Sequence, residues 1–101
     1  GQQLRRQRED AFRRYSTAVD QATLYKERIL PRAVEALNLV RTGYEQGKFG
    51  FIDLLDTQRT AAEARLAYLQ RLWEMNVAQA ELEVFLPEGR STIPIQTGVE
   101  P

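Results

Sequence analysis

Two glycines three residues apart, Gly47 and Gly50, interrupt the middle of a chain that otherwise reads as continuous helix. Between Gln2 and Gln46 the only residues hostile to a helix are Pro31 and Gly43, the latter close to the break. Apolar residues recur there as Phe12, Tyr15, Val19, Ala22, Ile29, Ala33, Leu37, Val40 and Tyr44, mostly in steps of three and four. That spacing keeps one face of a helix apolar and does not fit the alternation of a half-buried strand. Helix, short glycine turn and helix together imply an antiparallel hairpin. The expected fold is all-α, a long, coiled-coil-like hairpin over residues 1–89: a helix over about 2–46, a turn at 47–50 and a helix over about 51–86. Residues 90–101, with Ser91, Thr92, Pro94, Gly98 and Pro101, read as an irregular tail. Pro31 removes a backbone donor and crowds the preceding turn, which predicts a kink near 31.

The second helix carries more apolar surface than one partner covers. One row at seven-residue spacing is Leu54, Ala61, Tyr68, Met75 and Leu82; a second is Leu55, Ala62, Leu69 and Asn76. A third is Ile52, Arg59, Leu66, Trp73 and Ala80. The remaining face, Asp53, Thr60, Glu63, Gln70, Glu74 and Glu81, is polar. A two-stranded coil needs only a narrow seam. Rows this wide imply at least two neighbours, so self-association of the chain is expected. Pro87-Glu88-Gly89 supplies the stop, and at about 1.5 Å per residue the helix would be roughly 50 Å long.

The chemistry available is narrow. The chain has no His and no Cys, which removes the usual zinc and copper ligand sets, so no metal site and no cofactor are expected. Ser16 and Ser91 have no histidine base to activate them. Fourteen Lys+Arg balance fourteen Asp+Glu, and the arginines of the first helix are interleaved with Glu9 and Asp10. A solvated helix face fits that pattern better than a nucleic-acid patch. No apolar run approaches the ~18 residues that cross a bilayer as a helix. The opening Gly1-Gln2-Gln3-Leu4, already in helical rhythm and without an initiator Met, reads as a segment of a longer protein. These features point to a soluble fragment that is not an enzyme.

The run from Gly43 through Gly47-Lys48-Phe49-Gly50 to Asp53-Leu54-Leu55-Asp56-Thr57-Gln58-Arg59 resembles the C-terminal repeat of TolC-like outer-membrane efflux factors. Their signature is Tyr-x-x-Gly, a few tip residues, then Asp-Leu-Leu-Asp-x-Gln-Arg. The Gly-Lys-Phe tip followed by an aromatic looks most like the branch serving cobalt-zinc-cadmium heavy-metal pumps. The resemblance implies a homotrimeric channel with a β-barrel in the outer membrane and an α-helical barrel in the periplasm. This chain would be its second helical hairpin. A periplasmic adaptor and an inner-membrane pump would complete a tripartite assembly. The alternative from another class is a generic helical scaffold with no transport role.

Carried over residue by residue, the resemblance makes Asp53 and Asp56 the carboxylates of the periplasmic constriction. Two carboxylates a turn apart share a face, and three protomers would present rings that concentrate cations. The plainer reading is compensation of the helix dipole. Tyr44 corresponds to a gating tyrosine that bonds to the neighbouring hairpin; the plainer reading is a packed aromatic. Gly47, Lys48, Phe49 and Gly50 correspond to the tip that docks the adaptor, against the plainer reading of a mere turn. Phe49 stands where some relatives carry a basic cross-linking residue.

Overall fold

The computed structural model describes residues 1–86, so the expected stop at Pro87-Glu88-Gly89 and the tail at 90–101 lie outside the described residues. Helix α1 runs Gln2–Leu24 and passes through a π-helical turn, Tyr25–Ile29, into α2, Leu30–Glu45. After the glycine tip, α3 runs back over Phe51–Glu83. No strand occurs among the described residues, and the fold is an all-α hairpin. At about 1.5 Å per residue, α3 alone is roughly 50 Å long. The radius of gyration is 20.0 Å, against about 13 Å for a compact domain of this size, so the molecule is a pair of rods.

The seam between the rods is built mainly from alanine. Ala11 and Ala22 of α1, Leu37 of α2, and Leu54, Ala61, Ala64 and Ala78 of α3 are its buried apolar residues. Leu37, Leu54 and Ala61 form one cluster, with Ala33 and Val40 packed against it. Small side chains let helix axes approach closely, which repays in dispersion contacts what they lack in area. Two contacts across the seam fix the antiparallel pairing. Arg14 Nε donates to Glu81 Oε1 at 3.3 Å near the open end, and the Arg71 guanidinium lies 5.6 Å from the centre of the Tyr25 ring. Arg71 is also held by two hydrogen bonds to Glu74, at 2.9 and 3.0 Å. The hydrogen bond to Glu74 is the main reason its pKa is raised.

On α3 the inner row is Leu54, Ala61, Tyr68, Met75 and Leu82, as the apolar spacing suggests, all buried or half-buried. Its companion row is Thr57, Ala64, Arg71 and Ala78, continued by Phe85 just past the end of the helix, also turned inward. The two rows repeat every seven residues and form a coiled-coil seam. The other two apolar rows stay outside: Ile52 is 74% and Trp73 67% exposed, and Leu55, Leu66 and Leu69 are exposed as well.

The irregularity in the first rod falls earlier than the kink expected near 31. Leu30 N–H donates to Tyr25 C=O, five residues back, so the widened turn precedes Pro31 and spans Tyr25–Ile29. Pro31 then follows in the first turn of α2, within a rod that is helical on both sides, so the N–H it lacks is missing from a continuous helix. At the other end α3 stops at Glu83, short of 86. Val84, Phe85 and Leu86 donate to carbonyls only three residues back, at 3.3, 3.0 and 3.1 Å. Such tightening satisfies the last carbonyls of a helix, and the residue before a proline disfavours the α conformation.

Candidate functional site

The tip is a tightly specified reversal. Lys48 N–H donates to Gly43 C=O at 2.7 Å and Gly47 N–H to Tyr44 C=O at 3.0 Å. This paired pattern is the Schellman motif, which satisfies the last carbonyls of α2. It needs a left-handed residue after the cap, and Gly47 supplies it with φ of 78°. Gly50 then caps α3 in an extended conformation, φ −86° and ψ 170°.

Gly43, the helix-hostile residue close to the break, is part of the tip. A Cβ built on it would lie 2.2 Å from Phe49 Cδ2 and 2.6 Å from Cε2. The ring of Phe49 therefore sits in the place a side chain at 43 would take. Even so seated, Phe49 is 44% exposed, with Lys48 exposed beside it. A shallow groove of about 490 Å³ runs along this side of α2, lined by Leu39, Thr42, Gly43, Lys48 and Phe49 among others. Gly43→Ala is expected to displace the Phe49 ring while leaving stability nearly unchanged. Alanine gains about 0.5–1 kcal/mol of helix propensity over glycine, against about 1 kcal/mol for releasing a half-buried Phe. Unmoved Phe49 ring resonances in the NMR spectrum of the variant would contradict the seating.

Tyr44 and Phe51 face each other across the turn, ring centroids 6.0 Å apart and tilted by 49°. Both remain substantially exposed. Tyr44 thus has a packing partner within its own hairpin as well as an outward surface.

The structure places Asp53 and Asp56 on the same polar sector of α3, a turn apart, but gives them different partners. Asp53 Oδ2 accepts the Gly50 N–H at 3.1 Å, which ties it to the cap. Asp56 pairs with Arg59, which also reaches Glu63 Oε2 at 3.3 Å. The Arg59 pKa is raised, first by its hydrogen bond to Asp56 and then by the two negative charges. Pairs this exposed add little stability. Their effect is on the field, where two carboxylates, Asp56 and Glu63, share one guanidinium and leave a net negative charge beside Asp53 on this sector. Thr57 turns its hydroxyl back onto the carbonyls of Asp53 and Leu54, at 3.1 and 3.0 Å.

Seen down its axis at about 100° per residue, α3 has three faces. One meets α1 and α2; one is apolar and uncovered, with Ile52, Leu66, Leu69 and Trp73; one is polar, with Asp53, Asp56, Glu63 and Gln70. Among the described residues no three acidic side chains gather to hold a metal ion. No described helix is long and apolar enough to cross a membrane.

Comparison with known proteins agrees with this geometry. The family model described as outer membrane efflux protein matches residues 1–86. The chain is 38% identical over 65 residues to the cobalt-zinc-cadmium resistance protein CzcC of Cupriavidus metallidurans. That match covers 64% of this chain and 16% of the relative, so the chain spans less than a fifth of the protein it resembles. No solved structure gives a significant match.

Proposed function

The chain belongs to the outer membrane efflux protein family, and from that premise we propose that it is one helical hairpin in the wall of a periplasmic duct. The family is one of transport components, and the sequence falls beside its heavy-metal branch. In this reading the parent is a homotrimer, and each copy sets this hairpin next to others in an α-helical barrel. The passage is passive and involves no bond-making step. An inner-membrane pump supplies the energy, and a periplasmic adaptor joins pump to duct.

The three-faced α3 carries the proposal. A helix that has already filled one seam with its own hairpin partner and still exposes Ile52, Leu66, Leu69 and Trp73 is built to stand between neighbours. Its third face keeps carboxylates in water, as the wall of a bore requires. Rings of Asp53 and Asp56 would then favour cations at the mouth of the duct. Phe49 and Lys48, raised on a rigid turn, offer the adaptor an aromatic anchor and a charge. Tyr44 can bond to the next hairpin while its ring stays against Phe51. The same uncovered rows support self-association of the isolated chain.

Bilayer recordings on the full-length parent test the pore-facing role. Asp53→Asn combined with Asp56→Asn removes both charges and keeps an acceptor oxygen for the Gly50 N–H, so the cap survives. The ratio of cation to anion permeability is expected to fall several-fold. A ratio equal to the parent's would remove the aspartates from the bore.

A further inference from the structure

The buried positions of the first rod change register by one residue at the π-turn. Through α1 and into the π-turn, one inward row is Ala11, Tyr15, Ala18, Ala22, Tyr25 and Ile29, a regular alternation of four and three. Continued unchanged, that rhythm would bring Arg32, Ala36 and Leu39 against α3. All three are exposed, and the residues one position later, Ala33, Leu37 and Val40, pack there instead. A π-turn holds one residue more than the α-turn it replaces, as the Leu30 N–H to Tyr25 C=O bond records. The register slip and the wide turn coincide at Tyr25–Ile29.

Two causes could place a π-turn here. Pro31 cannot donate to Glu27 C=O and its ring would crowd that carbonyl, which widening the turn relieves. The other cause is the pattern of apolar residues itself. Without the extra residue, α2 would be turned by about 100°. Arg32 would then enter a seam of alanines and leucines that buries no carboxylate to receive it, while Leu37 and Val40 faced water. Burying an unpaired charge costs far more than one irregular turn. The anchor at Tyr25, whose ring lies against Arg71, holds the α1 side of the junction in its own register.

We infer that the π-turn is a register corrector set by the buried pattern rather than by Pro31, and that it fixes the rotation of the tip-bearing half of the hairpin. That rotation decides which way α2 presents Gly43 and Tyr44, and so whether Tyr44 meets Phe51. The inference goes beyond the duct reading and stands or falls independently of it.

Methyl and amide NOEs on the 101-residue chain and two variants test it. Lys26 is exposed within the π-turn, so ΔLys26 takes out the extra residue and leaves an ordinary α-turn. In ΔLys26 the Leu37–Leu54 methyl NOE is expected to persist, with helical amide connectivity unbroken from α1 into α2. In Pro31→Ala the same NOE is expected to persist together with the π-turn. A Leu39–Leu54 NOE in Pro31→Ala would make the proline the cause and overturn the inference. So would loss of the Leu37–Leu54 NOE, or of the fold, in either variant.

Discussion

Leu54→Ala is expected to lower the stability of the hairpin by about 2–3 kcal/mol. Leu54 is 8% exposed and packs with Leu37 and Ala61. Leu37 and Leu54 are the large side chains of a buried set otherwise made of alanines. Removing one therefore deletes much of the non-alanine burial near the tip. Leucine-to-alanine changes in cores cost about 2–5 kcal/mol, and the lower part applies because a thin interface collapses more readily than a domain core. A single small core contributes only about 3–5 kcal/mol, so this change consumes half or more of the margin. Urea denaturation followed by circular dichroism measures it. A midpoint within error of the parent's would mean that the described seam does not hold the helices together.

Ala61→Leu is expected to be comparably severe for the opposite reason. Ala61 is 0% exposed at the middle of the seam, so three added carbons have nowhere to go but between the backbones. Overpacking costs about 1–3 kcal/mol in ordinary cores. Here the strain spreads, because straight rods pushed apart at one level also lose contact at Leu54 and Ala64. Ala62→Leu, one residue on and exposed, supplies the comparison and should change stability by no more than about 0.5 kcal/mol. Equal effects of the two substitutions in thermal denaturation would refute the assignment of Ala61 to the inside.

The hairpin was legible because its signals are local and strong: a glycine pair between two long helical rhythms. The tip was legible for the same reason, since a left-handed residue after a helix cap calls for Gly47. The second inner row of α3 was not. It contains Thr57 and Arg71, which an apolar count discards. Their inward position follows from Thr57 bonding to backbone carbonyls and from Arg71 lying between Tyr25 and Glu74. The π-turn was hidden because a one-residue slip reads as scatter in a three-and-four rhythm, and Pro31 drew attention one turn too late. The seat of Phe49 on Gly43 is a contact across a turn, which spacing along a helix does not encode. A shared face for Asp53 and Asp56 was readable from their separation. Their different partners, the Gly50 N–H and Arg59, depend on side-chain conformations that the sequence leaves open.

The central claim is that the outer apolar face of α3 is covered by neighbouring hairpins while its polar face stays wet. Single cysteines at Leu66 and Trp73, and at Glu63 and Gln70, introduced into the full-length protein and probed with a water-soluble maleimide against the unsubstituted protein as background, test it. In the isolated chain, diluted until it is monomeric by ultracentrifugation, all four positions should label. In the assembled protein, positions 66 and 73 should be protected and 63 and 70 should remain reactive. Full labelling at 66 and 73 in the assembly would contradict the account, because the surface it assigns to neighbours would then be facing water.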